Sequence, residues 1–235
     1  MDLADPGFDI LYESGPCLVV NKPSGVLTQA PLGVDSLEIR VKTFLHRRDG
    51  VPCDAFLGVV HRLDRPASGA IVLGLNLKAT QKLGRQFEHR WVKKVYWACV
   101  SGRVEPPEGT WTDYVRKVPE EPRAEIVPPD DPQGRIAVLH YRTRAVADWG
   151  TWLEIELETG RTHQIRVQAG SRGHAVLGDA QYGSTLPFGP PRTDARLLAI
   201  ALHARQLTFR DPTTRQDVTV VAPLPPTWRE IGIEA

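Results

Sequence analysis

The chain has 235 residues, 41% hydrophobic and 24% charged, an ordinary globular composition that excludes disordered and fibrous architectures. Net charge is +1, and no apolar run approaches the ~18–20 residues of a membrane helix. The first five residues lack the basic and apolar regions of a secretory signal. Cys17, Cys53 and Cys99 form no Cys-x-x-Cys pair, so a disulfide framework or zinc ribbon is not expected. A reducing cytoplasm, with the thiols as buried packing, is.

Twenty glycines and twenty prolines predict many turns and short strands rather than a helix bundle. Residues 17–21 read as a short buried strand, turned by Lys22-Pro23-Ser24-Gly25. Asp35 or Ser36 caps a helix with Leu37, Val41, Phe44 and Leu45 on one face. Residues 59–62 form a strand that runs into an irregular loop, 63–69, and 70–74 form another strand. Asn76 caps a second helix, whose Ala79, Leu83, Phe87 and Trp91 repeat every four residues. Residues 92–100 are rich in strand formers, whereas 106–134 carry seven prolines and read as loop.

Residues 138–147 read as strand, and Leu153, Ile155 and Leu157 alternate with Glu154, Glu156 and Glu158 as in a strand with one wet face. Thr162 can cap a helix through Ala169, closed by Gly170 and Gly173. The apolar segment 195–204 has no clear period. Residues 207–210 and 218–222 flank a hairpin turn at Asp211-Pro212. The expected fold is one α+β domain around a mixed or mainly antiparallel sheet.

Charge is unevenly spread. Residues 61–103 hold nine basic and two acidic side chains, 104–160 hold six and twelve, and 161–215 hold eight and three. Two basic segments separated by an acidic one can fold onto a common face that attracts a phosphate backbone, or remain separate solvated surfaces. The seven histidines form no recognisable metal-ligand pair, and phosphate-cradling and nucleophile-elbow motifs are missing.

What remains is an acid among bases, Asp64 in His61-Arg62-Leu63-Asp64-Arg65-Pro66. A carboxylate placed there can act on a sugar carbon, or simply hold a turn through backbone amides. A second cluster, Arg161-Thr162-His163-Gln164-Ile165-Arg166, can hold phosphate, pair with a carboxylate, or serve as the polar start of a helix. Tyr96 suits a core or stacking position on a strand.

Taken together and in order, these segments resemble the RluA-type RNA pseudouridine synthases. The stretch from His61 to Gly69 is similar to the family's catalytic motif, and Val20 to Gly25 to its first motif. Phe87 to Tyr96 resembles the segment with the active-site tyrosine. Gly160 to Arg166, followed by Gly178-Asp179-Ala180-Gln181-Tyr182-Gly183, resembles the third motif, and Leu202-His203-Ala204 a C-terminal element. The chain departs from the pattern at Ala67, where many members have threonine, and at Gln29, near a common histidine.

The resemblance implies a pseudouridine synthase fold and the isomerisation of uridine in ribosomal or transfer RNA. It implies Asp64 as the essential carboxylate, Arg166 as its partner, and Tyr96 packed on the base and able to assist proton removal from C5. Ile165 would wall the pocket. Arg62 would fill the gap left by the extruded base, with His61, Arg65, Arg161, Thr162, His163 and Gln164 among the RNA contacts. No cofactor, metal or membrane is expected, and the working form would be a monomer. No room precedes the first motif for the small S4 RNA-binding domain of many relatives, so a single catalytic domain over 1–235 is expected. A nucleosidase-type glycosidase and a non-catalytic RNA-binding protein are the alternatives.

Overall fold

Strands form where β-branched and aromatic residues cluster, and turns where glycine and proline interrupt them. The computed structural model describes residues 6–31 and 33–234; the 1–5 stretch, which lacks the marks of a secretory signal, lies outside them. In chain order the elements are β1 (Asp9–Ser14), β2 (Cys17–Lys22), α1 (Leu37–Asp49), β3 (Gly58–Val59), β4 (Ser68–Gly74), α2 (Leu77–Glu88) and β5 (Lys93–Ser101). They continue with β6 (Glu108–Lys117), β7 (Ala124–Val127), β8 (Arg135–Ala147), β9 (Gly150–Leu157), α3 (Gln164–Ser171), β10 (Leu202–Arg210) and β11 (Asp217–Val221).

All the strands join one 11-stranded mixed sheet in the order β1-β2-β4-β10-β5-β9-β8-β6-β7, with β3 on β4 and β11 on β10. The β4–β10 junction is the one parallel strand pairing among the described residues, through His203↔Ser68 and Ala204↔Gly69. Backbones come unusually close there. A methyl on Gly69 would meet the Ala204 carbonyl oxygen at 2.4 Å, and Gly69 has φ +119°, so only glycine fits. Ser68 Oγ and His203 Nδ1, 2.8 Å apart, join the two strands side chain to side chain.

The strands β2 and β4 are buried on both faces because a helix covers each side. Leu18, Val20, Ile71 and Leu73 pack on Leu37, Val41 and Leu45 of α1. Cys17, Val19, Ala70 and Val72 pack with Leu83 of α2. The largest core lies beside them, where β5, β8 and β9 pack with Ile165 and Ala169 of α3 and with Trp228. No helix of the structure is long and apolar enough to cross a membrane.

Several sequence expectations change. Ser36, not Asp35, caps α1, its side chain accepting from Ile39 N–H, while Asp35 pairs with Arg40. The proline-rich 106–134 region contains the two strands β6 and β7. Its prolines fall in the turns around them, so the hydrogen-bonded ladders stay intact. Trp91 is 68% exposed and lies beyond the end of α2, after Arg90 turns the chain at φ 59°. The segment 195–204 divides into a short 3-10 turn and the start of β10. Cys53 is exposed, whereas Cys17 and Cys99 are buried.

Candidate active site

The loop before β4 is held by the turn that follows β2. Lys22 is fully buried and donates from Nζ to the carbonyls of Pro23 and Val26, each at 2.8 Å, and of Arg65 at 3.4 Å. Burial pushes its pKa down to about 7, with the Asp64 charge pulling the other way. Thr28 Oγ1 donates to the Leu63 carbonyl at 2.9 Å and accepts from Leu63 N–H at 3.2 Å. Gly25 N–H donates to the Arg65 carbonyl at 2.8 Å, and Arg65 Nε donates back to the Gly25 carbonyl at 3.0 Å. Asp64 thus stands on an irregular loop whose flanks cannot drift. Its side chain keeps 26% exposure.

Arg166, from the first turn of α3, reaches this loop across 102 residues of chain and donates from Nη1 to Asp64 Oδ2 at 3.2 Å. The guanidinium is itself held. Nε and Nη2 donate to the two oxygens of Asp179 at 2.6 and 2.9 Å, and Nη2 also donates to Gln181 Oε1 at 2.9 Å. Its flat face lies 4.9 Å from the centre of the Tyr182 ring. Burial alone would lower the Arg166 pKa, but the hydrogen bonds and charge of Asp179, with Asp64 behind them, raise it. The guanidinium therefore stays charged although it is only 5% exposed.

His163 approaches the other carboxylate oxygen, with Nε2 3.7 Å from Asp64 Oδ1. It has φ 52°, in the left-handed region, and no side-chain cap precedes α3. Thr162 is exposed and does not cap the helix. Instead the Gln164 side chain closes the turn, Oε1 accepting from Thr159 Oγ1 at 2.8 Å and from Arg161 N–H at 3.0 Å. Tyr182 Oη lies 2.8 Å from His163 Nδ1 and accepts from Ala124 N–H at 2.7 Å. With the phenol oxygen accepting from the amide, its own proton can be given to Nδ1, an arrangement that puts the imidazole proton on Nε2, facing the Asp64 carboxylate. Burial lowers the His163 pKa, opposed by Asp64 and assisted by Arg166, so the neutral ring prevails near pH 7.

Tyr96 lies at the centre of the sheet on β5 and feels the Asp64 charge. Burial first and that charge second raise its phenol pKa well above the ordinary value. Ile165 is buried in the main core. Arg62, next to Asp64, is exposed and makes no hydrogen bond or ion pair with any described residue.

Asp64, Tyr96 and the pair His163 and Arg166 are thus brought together from three distant segments. Two residues expected at an RNA surface are occupied inside. The His61 ring stacks on Phe87 at 4.5 Å and accepts from Val72 N–H at 3.0 Å, and burial drives its pKa down to about 3. Gln164 is buried in the turn it closes, its Nε2 donating to the Val138 carbonyl at 3.1 Å. Arg161 is half-buried, its Nε on the Ile136 carbonyl at 2.8 Å. Asp179, Tyr182 and Lys22 had no assigned role in the sequence. Their signal was position inside the recognised motifs, but only contacts reveal what they do. Among the described residues, no group of three or more His, Cys, Asp or Glu side chains converges as a metal site would require.

Chemically, a carboxylate fixed by a guanidinium on one oxygen and faced by a neutral imidazole on the other can attack carbon or remove a proton. Residues 16–171 match the family model described as RNA pseudouridylate synthase. The chain is 33% identical over 219 residues to an uncharacterized RNA pseudouridine synthase of Synechocystis, covering 92% of this chain and 65% of that protein. It is 36% identical over 228 residues to the ribosomal large subunit pseudouridine synthase D of Xylella fastidiosa, covering 94% and 67%. The chain therefore spans about two thirds of the length of these curated relatives. The solved structure of human RNA pseudouridylate synthase domain containing 1 superimposes with a TM-score of 0.72 at 25% identity, over 96% of this chain and 86% of the other.

Proposed function

The chain belongs to the RNA pseudouridylate synthase family, and we propose that it converts specific uridines of a structured ribosomal or transfer RNA to pseudouridine. The observation that carries this reading is the Asp64 carboxylate, partly exposed and aimed by Arg166 beside a tyrosine that feels its charge. In the reaction the N1–C1′ bond breaks, the uracil turns, a C5–C1′ bond forms, C5 loses its proton and N1 gains one. Nothing is consumed. Asp64 works at the ribose, on C1′ or on the 2′ hydrogen. A phenol whose pKa is raised is a poor base, so Tyr96 acts as a neutral wall and hydrogen-bond donor. Removal of the C5 proton then falls to the carboxylate it faces. The buried Ile165 side supports an apolar wall that keeps the detached base from escaping.

The target nucleotide must leave its stack to reach Asp64, and Arg62 is free to take its place. We take the working form to be a cytoplasmic monomer in which residues 1–235 act as one catalytic unit.

The test uses the purified chain and RNA labelled with tritium at uridine C5. Isomerisation releases tritium at unchanged RNA mass, and Asp64→Asn stops release while RNA binding survives. Free uracil as product would assign a glycosidase instead, and binding without release a non-catalytic RNA-binding protein. Mapping pseudouridine in RNA from cells with and without the gene then names the site.

A further inference from the structure

Side chains two residues apart on a strand point the same way, so Lys94 shares with Tyr96 the face of β5 turned toward Asp64, ~7 Å further along. Its Nζ lies over the turn between β9 and α3, where a methyl on Gly160 would meet it at 3.7 Å. Its charge also acts on His61, three residues before Asp64. Lys94 therefore lies on the flank of the site, beside the turn before α3 and within electrostatic reach of the start of the loop that carries Asp64.

The adjacent Lys93 is exposed and answered by Glu156 at 2.9 Å. Lys94 is the reverse. Its side chain is half-buried and makes no hydrogen bond or ion pair with any described residue. Burial and the charges of Arg90 and Arg161 all lower its pKa. Arg161 is in the same position, lowered by burial, Arg90 and Arg135, and its side chain's partner is the neutral carbonyl of Ile136. Glu158, two residues before Gly160, is already shared between Arg90 at 3.2 Å and His140 at 3.7 Å. Buried cations are ordinarily paired. Here two half-buried cations lie close to each other without a carboxylate partner, on the flank of the site.

We propose that Lys94 and Arg161 form a phosphate site for the RNA strand, holding a phosphodiester beside the target uridine while Asp64 and Tyr96 engage the nucleoside. The proposal rests on RNA being the substrate and adds the residues that grip its backbone. Lys94 serves binding and placement of the strand, not bond making.

The test is the salt dependence of binding to a short oligouridylate RNA, read by fluorescence anisotropy. Loss of one phosphate contact on a single strand reduces the slope of log affinity against log salt by about 0.7. Lys94→Gln and Arg161→Gln are each expected to show that loss, Lys94→Arg to retain the slope, and Lys78→Gln, on the exposed start of α2, to leave it unchanged. Lys94→Gln should melt no lower than the parent, because an unpaired cation is removed from among like charges. Replacing the phosphates by neutral methylphosphonates should erase the difference between parent and Lys94→Gln. An unchanged slope in folded Lys94→Gln, or an equal loss in Lys78→Gln, would overturn the site. Tritium release separates the two readings. A protein that never isomerises yet shows the Lys94 slope loses its proposed activity and keeps the contact.

Discussion

Arg166 is gripped more tightly by Asp179 than by Asp64, with two contacts of 2.6 and 2.9 Å against a single contact of 3.2 Å. The paired, parallel bonds fix the guanidinium plane, and its remaining corner then aims the partly exposed carboxylate. The arrangement separates two tasks, since the buried acid neutralises the arginine and leaves the other acid accessible.

Asp179→Asn should therefore affect both stability and rate. Breaking a buried ion pair on one side typically costs 3–5 kcal/mol, and retained contacts to Asp64 and Gln181 place this case at about 3. The turnover number should fall roughly 10²-fold with KM little changed, because the aim of Arg166 is lost. Thermal melting and steady-state tritium release measure the two effects. A lowered melting point with normal turnover would make Asp179 purely structural.

Tyr182→Phe removes the hydroxyl that holds the proton of His163 on Nε2. The loss of one hydrogen bond, about 1 kcal/mol, corresponds to roughly a fivefold slower turnover. Burial, the main cause of the lowered His163 pKa, remains in this variant, so the neutral ring is kept and the pH profile of the rate keeps its shape while its height falls. An unchanged turnover number would show that the Tyr182 hydroxyl does not position His163.

Arg62→Ala tests gap filling. An exposed guanidinium beside Asp64 matters most when a stacked base has to be extruded and least when the uridine is already free. Activity on a structured RNA should drop at least tenfold more than on a flexible loop of the same sequence, a difference of about 1.4 kcal/mol. Equal losses on both would place Arg62 in general backbone binding.

Acid should unfold the protein through its buried histidines. Burial lowers the His203 pKa to about 4 and the His61 pKa to about 3, and that of His163 moves the same way. The folded form binds these protons later than the unfolded chain, so the stability is complete above the unfolded pKa of ~6.5 and is lost as pH falls toward 4. For His203 alone the loss is on the order of 3 kcal/mol. Urea melts at several pH values should show the decline, and His203→Gln should flatten it. An undiminished slope in that variant would assign the acid sensitivity to other groups.

The sequence alone determined the family, because its signature is carried by short ordered motifs whose local spacing survives in one dimension. It also determined most strands and the first two helices, where apolar periodicity and capping residues such as Asn76 act within a few positions. Tertiary structure decided the rest. Proline count mistook β6 and β7 for loop, because pairing partners outweigh composition when the prolines lie in turns. Only folding separated His61 and Gln164, whose polar atoms are consumed inside, from the exposed Arg62. Only folding set Asp179 against Arg166 and left Lys94 beside Arg161, because burial and electrostatic pairing depend on distances between segments that the order of residues does not encode.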